Sequence, residues 1–212
     1  METKSHLNHT LLTDYQFFPC IAWCSALFRF SHIEIEQYEN YPKSSFRNRC
    51  VIAGSNGVVN LSVPVVNGRD QKTLFREVRI SDTGNWQLQH WRTVTSCYGK
   101  APFFEYYAGY LEALLFTRRH THLIDLNRDI LQWLQKVLKV TAGISETTQF
   151  ELQTTREGVA DYRNHWLPKN QGDYTTPHYY QLFEDRIGFQ HNLSILDLLF
   201  CEGPNAGQVL MG

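Results

Sequence analysis

Thr10-Leu11-Leu12-Thr13-Asp14-Tyr15, then Ile21-Ala22-Trp23-Cys24-Ser25-Ala26-Leu27-Phe28-Arg29-Phe30, then Ile33-Glu34-Ile35-Glu36-Gln37-Tyr38, decide the fold class of this chain. The first run reads as a short strand, and the second is apolar almost all round, as a buried helix is. The third alternates apolar and polar with the period of a strand. Phe17-Phe18-Pro19 is the turn between the first two. A strand, a helix and a strand in this order form a βαβ unit, whose crossover is right-handed. The expectation is therefore an α/β or α+β domain. In open sheets of this kind ligands gather beyond the carboxyl ends of the strands. Tyr15, Gln16, Glu39, Asn40, Tyr41 and Lys43 stand there.

Downstream, Cys50-Val51-Ile52-Ala53 and Val58-Val59-Asn60-Leu61-Ser62-Val63 flank Gly54-Ser55-Asn56-Gly57, a β-hairpin with an Asn-Gly turn. Pro64 cannot donate to a ladder, so that end of the strand is an edge. Phe75 to Ile80 reads as a further strand. The middle is helical. Trp86, His90, Val94 and Cys97 form one stripe, Phe103, Tyr107, Leu111 and Leu114 a second, and Leu123, Ile130, Leu134 and Leu138 a third. Residues 141–176 show no period, and so long an irregular stretch points to a lid or a pocket wall. Near the end, Ser194 followed by Asp197 reads as a capping box, the serine taking a free N–H and the aspartate reaching back. The helix it opens stops at Gly203, with Pro204 behind.

The 212 residues suit one domain with a substantial core, and the 42% apolar and 14% aromatic content marks a globular chain. Residues 1–9 read as a flexible polar arm and 10–212 as the domain. The formal net charge of −1 argues against recruitment of nucleic acid. No apolar run reaches the length of a membrane span, and the first residues lack the apolar core of a signal peptide. Five cysteines at uneven spacing (Cys20, Cys24, Cys50, Cys97, Cys201) fit reduced thiols rather than a disulfide framework, so a cytoplasmic location is expected.

Chemistry is concentrated in a few places. Asn40 to Arg49 packs three cations, two hydroxyls and two amides into ten residues just after a strand end. Lys43, Arg47 and Arg49 could clamp a phosphate or carboxylate, with Asn48 adding a directional bond, or the segment could be a solvated basic turn. His90 faces inward and reads either as a general base or as a satisfied core residue, with Tyr98 two helical turns on near the same face. Arg118-Arg119-His120-Thr121-His122 invites a metal or acyltransferase reading, and the spacing of His120 to Asp125 is only a weak catalytic match. No Cys/His grouping has zinc-site spacing, so no metal is expected, and Cys50 beside Arg49 reads as packing. No phosphate-binding loop or nucleophile elbow occurs, and the cofactor is left unknown.

Five blocks in order resemble the WbqC-like family, in the aromatic-rich version common in Bacteroidetes. They are Tyr15-Gln16-Phe17-Phe18-Pro19; Asn40 to Cys50; Leu61-Ser62-Val63-Pro64-Val65; His90-Trp91-Arg92 with Tyr98-Gly99-Lys100-Ala101-Pro102-Phe103-Phe104; and the Tyr180-Gln181 and Leu193-Ser194-Ile195-Leu196-Asp197-Leu198-Leu199-Phe200 end. The resemblance implies a cytoplasmic protein linked to lipopolysaccharide O-antigen or other surface polysaccharide. It singles out Lys43, Asn48, Arg49, His90, Tyr98, Gln181, Ser194 and Asp197. The function it implies is transfer of an acyl, aminoacyl or related group onto a sugar nucleotide or lipid-linked sugar. His90 and Tyr98 would be catalytic, and Tyr15, Lys43, Arg47, Asn48, Arg49 and Gln181 would hold an anionic small molecule such as a nucleotide sugar or acyl donor. The alternative is a non-catalytic binding or assembly subunit of the same pathway. A perturbed His90 beside an open cleft favours the enzyme, and a His90 sealed in core favours the subunit. Asp197 is expected to cap rather than to act as an acid.

Overall fold

The computed structural model describes residues 9–67 and 72–212. Apart from His9, the expected N-terminal arm lies outside the described residues. The βαβ unit forms as its pattern requires. Strand β1 (Thr10–Asp14) leads through helix α1 (Ile21–Ala26) to strand β2 (His32–Glu36), and β1 and β2 pair in parallel, Leu12 opposite Glu34 and Asp14 opposite Glu36. The hairpin is strand β3 (Arg49–Gly54) against strand β4 (Gly57–Ser62), a separate two-stranded sheet. Its turn places the positive φ on Gly57, which Cβ-bearing residues rarely adopt.

The three helical stripes become α2 (Trp86–Tyr98), α3 (Phe104–Glu112) and α4 (Leu123–Val137). A wider π-helical turn, Ala113–Thr117, continues α3. Phe75 to Ile80 is not the expected strand. Phe75–Glu77 is a single 3₁₀ turn, and only Arg79 and Ile80 make isolated bridges, to His122 and Val65. Phe75 is wholly buried there, stacked on Tyr41 and beneath the Arg47 guanidinium, so packing overrides its β preference.

Two further strands lie in the stretch without a sequence period: β5 (Gly143–Glu146) and β6 (Val159–Asp161). They complete an all-parallel sheet in the order β5-β2-β1-β6. From β5 to β6 the chain crosses from one edge of the sheet to the other with no helix. The crossing spans about 14 Å at normal strand spacing. Residues 147–158 therefore strap one face. That face is acidic, because Asp14, Glu34, Glu36 and Asp161 share it by register. The strap and the chain after β6 neutralise it: Arg156 pairs with Glu34, and Arg163 with Glu36 and Asp161.

The chain closes with α5 (Glu184–Ile187), α6 (Ile195–Glu202) and α7 (Ala206–Met211). Ile195 through Cys201 are all buried, as in a helix with no solvent face. The first and last sequence blocks lock together here. Ser194 donates its hydroxyl to the Phe18 carbonyl (2.9 Å), Ile195 N–H bonds the Pro19 carbonyl, and Ile21 N–H the Leu193 carbonyl. Gly203 ends α6 at φ 57°, where a Cβ would lie 2.4 Å from the Phe103 ring. All five cysteines are free. No helix among the described residues is long and apolar enough to cross a membrane.

Candidate functional site

The sequence places ligand chemistry beyond the carboxyl ends of the parallel strands. In this sheet the chain runs from β1 to β2 on one side and later adds β6 on the other. The crevice where the order reverses therefore opens between β1 and β6. Asp14 ends β1, and Arg163 and Asn164 follow β6. The protein's own side chains fill this crevice. Asn164, in the left-handed region at φ 53°, donates its backbone N–H to Asp14 Oδ1 (2.8 Å) and its amide to Glu39 Oε1 (2.6 Å). Arg47, with no exposed surface, donates to Asn164 Oδ1 and pairs with Glu39 Oε2. Burial raises the Asp14 carboxyl pKa, against the opposing pull of Arg47, and Asp14 Oδ2 has no partner.

The expected clamp is thus divided. Arg47 is held by Glu39 and Asn164, so it is not free to grip an external anion. Lys43 is exposed on the preceding turn. Asn48 turns inward and donates to the Val63 carbonyl (2.9 Å), while half-buried Arg49 begins β3. Tyr15 is buried and donates to Glu146 Oε1 (2.7 Å), which also takes Arg128. Its hydroxyl is pushed well above its ordinary range, first by burial and then by that carboxylate.

His90 and Tyr98 sit on the inner face of α2, as their spacing requires, but neither opens on a cleft. His90 Nε2–H donates to the Ser62 carbonyl (3.2 Å), its ring packs against Trp86 and Phe17, and Nδ1 has no partner. The cavity beside it holds about 10 Å³ and is walled by Phe17, Phe18, Leu61 and Leu196, with none of Tyr15, Lys43 or Asn48. Burial lowers the His90 pKa to about 4, with the Ser62 carbonyl opposing. The folded state therefore refuses a proton that the unfolded chain binds below about 6.5. Stability from this group is complete above that pH and is lost as pH falls toward 4. His90→Gln keeps a donor for Ser62 without titrating. The variant-minus-wild-type difference in unfolding free energy is expected to grow by up to about 3 kcal/mol on acidification from about pH 7 to about pH 4. A flat difference in urea melts would show that His90 is wetted rather than sealed.

Tyr98 joins a buried network instead of a pocket. Its hydroxyl donates to Asp197 Oδ1 (2.7 Å) and accepts from Ala53 N–H (2.9 Å). Tyr179 donates to Asp197 Oδ2 (2.7 Å). Gln181, expected to line a pocket, donates to the Tyr179 hydroxyl and brackets Gln190 with two more bonds. The capping box is half formed. Ser194 Oγ accepts from Leu196 N–H, but Asp197 does not reach back, because both its oxygens are taken by phenols from elsewhere in the fold. Burial raises the Asp197 pKa to about 6, with the two hydroxyls opposing.

Open space lies elsewhere. A groove of about 1150 Å³ runs between α1, β6 and the segment 162–177. Phe28, Phe30, Tyr162, His165, Trp166 and Tyr174 wall it, with Ser25, Arg29 and Thr176 among them. Tyr162 stacks on His165 (4.8 Å, 20°), and Trp166 meets both rings edge-on. Ser25 is buried with an unpartnered hydroxyl. Asn164 lies in the same turn as Tyr162 and His165, so one turn serves both this wall and the Asp14 network. The irregular composition of 141–176 foreshadowed a wall, but which rings converge could not be read locally. Among the described residues no group of three or more His, Cys, Asp and Glu side chains could hold a metal ion.

This geometry finds no counterpart among solved structures, none of which matches the chain. Among curated proteins it is similar to "Uncharacterized protein Rv1507c" of Mycobacterium tuberculosis, 33% identical over 113 residues, which cover 53% of this chain and 48% of that protein. The chain thus spans about half the length of the relative it matches. The profile of the WbqC-like protein family matches residues 15–167, from the end of β1 through β6 and the ring-lined turn. With most of its length matched in that way, the chain belongs to the WbqC-like protein family.

Proposed function

We propose that this chain binds a sugar-containing anionic metabolite, of the nucleotide-sugar class, in the groove between α1, β6 and 162–177, as a binding or assembly component of surface-polysaccharide synthesis. The ring-lined groove carries the reading. Aromatic faces suit the apolar faces of sugar rings or the flat surface of a base, and a few convergent polar groups fix orientation. Arg29 is exposed on the rim and offers a fork to phosphate. The polysaccharide context is what the resemblance to the WbqC-like family implies, and membership of that family supports it. Burial of His90 and Tyr98 away from any cleft favours binding over catalysis by those residues.

Group transfer is the second reading, and one observation favours it. Asp14 is a buried carboxyl with a raised pKa and an unpartnered oxygen, positioned behind the turn that walls the groove. Asp14 borders no cavity among the described residues, so it would be a candidate general acid only with the Asn164 turn displaced.

Titration with nucleotide sugars, followed by calorimetry and thermal shift, tests both readings. Ser25→Ala removes an unpartnered hydroxyl and Arg29→Ala an exposed cation, so both are expected to keep the wild-type melting temperature and weaken binding about tenfold. Absence of a shift with every nucleotide sugar and sugar phosphate, or equal shifts in both variants, overturns the binding reading. Turnover that survives in Asp14→Asn would remove the case for transfer by that carboxyl.

A further inference from the structure

A second cavity, of about 670 Å³, lies on another part of the molecule, and no residue of the sugar groove borders it. Three independent features converge there. The first is the amino end of the 13-residue helix α2. Asn85, Trp86, Gln87 and Leu88 all line the cavity. Asn85 makes no side-chain cap, and among the described residues no other side chain accepts from the leading N–H groups of the helix. Such an end carries partial positive charge and presents donors to an anion.

The second feature is a pair of uncommitted cations. Arg79, Arg118, Arg119 and His120 line the cavity against a single carboxylate in its wall, Asp82. Arg118 and His120 are tied to Asp129 (2.9 Å each). Among the described residues neither Arg79 nor Arg119 has an ion pair or a side-chain hydrogen bond. Unpaired arginines that border a cavity are suited to bidentate recognition of phosphate.

The third feature is the wall itself. Trp86 is 7% exposed, borders the cavity, and keeps a buried indole N–H without a partner. The π-helical turn Ala113–Thr117 adds Leu114, Leu115 and Phe116 to the wall. Such turns widen a helix locally and are frequent at functional sites. The cavity therefore joins an anion-attracting end to an apolar floor. Arg118-Arg119-His120, part of a basic run with no assigned role when read alone, becomes the basic rim of this space. Arg79 reaches the same rim because its backbone bridges to His122.

We infer that this cavity is a second binding site, for a phosphorylated small molecule, with its phosphate held by Arg79, Arg119 and the amino end of α2 and its organic body against Trp86 and Leu115. It takes a ligand separate from that of the sugar groove, and it does not depend on the function proposed for that groove.

Pyrophosphate is the probe, with sodium chloride at matched ionic strength as the control. Pyrophosphate is expected to raise the melting temperature where chloride does not, and calorimetry should give a single site. Arg79→Ala and Arg119→Ala should each weaken it about tenfold without lowering the melting temperature of the free protein, since both side chains are exposed and unpaired. Arg119→Lys, which keeps the charge and loses the fork, should fall between. Arg29→Ala, in the other groove, should bind pyrophosphate at this site as the wild type does. The proposal is overturned if pyrophosphate and chloride act alike, if the double Arg79→Ala/Arg119→Ala variant binds as well as the wild type, or if Arg29→Ala abolishes binding.

Discussion

Asp197→Ala is expected to lower the unfolding free energy by about 3–5 kcal/mol, because it strands two buried phenols at once and each unsatisfied group costs about 1–3 kcal/mol. Tyr98 and Tyr179 both lose their acceptor in the interior of a helix with no solvent face. Asp197→Asn keeps an acceptor for one hydroxyl and offers an amide donor to the other, so it should fold. Its pH dependence should also differ from that of the wild type. Burial raises the Asp197 pKa from 3.8 to about 6, so the folded state holds this proton more tightly than the unfolded chain does. Its contribution to stability is full below the unfolded pKa and is lost as pH rises through about 6. The asparagine variant should therefore gain on the wild type by up to about 3 kcal/mol from about pH 4 to about pH 7. This runs opposite to the His90 effect over an overlapping window, so the two partly cancel in the wild type and each emerges in the other's variant. Urea melts at several pH values decide. A loss under about 1 kcal/mol for alanine would mean that the network is not what secures α6.

Arg47→Ala is the second large effect, expected at about 3 kcal/mol, the low end for a broken buried pair because Glu39 stays partly wetted. Removing the guanidinium leaves Glu39 and Asn164 facing each other and strips Asp14 of the cation that restrains its pKa. Arg47→Met with Glu39→Leu deletes both charges and should recover much of the loss, since replacing a buried pair with apolar side chains is often neutral or stabilising. Near-wild-type stability of Arg47→Ala, combined with lost ligand affinity, would instead restore Arg47 to the phosphate clamp.

Local sequence determined the elements whose evidence lies within one turn or one strand. The β1-α1-β2 unit, the β3-β4 hairpin, the stripes of α2 and α4 and the ends of α6 were all legible, because period, turn chemistry and Gly203 act over a few residues. Strands β5 and β6 were not. Gly143-Ile144-Ser145-Glu146 and Val159-Ala160-Asp161 are too short to show alternation, and they are strands only because β2 and β1 offer them free edges. The stripe on α2 does turn His90 and Tyr98 inward, yet a stripe does not distinguish a cleft from a core. Asp197 had the spacing of a capping residue. Its actual partners lie 99 positions away at Tyr98 and 18 away at Tyr179, and no local pattern reports such bonds. Arg47 has the charge a phosphate clamp needs, but that charge is spent on Glu39 and Asn164. Residue type and period thus settled which groups face inward, whereas only tertiary packing decided which of them were already satisfied and which cavities were left open. Satisfaction depends on what distant segments bring to the same few ångströms, and the chain does not encode that locally.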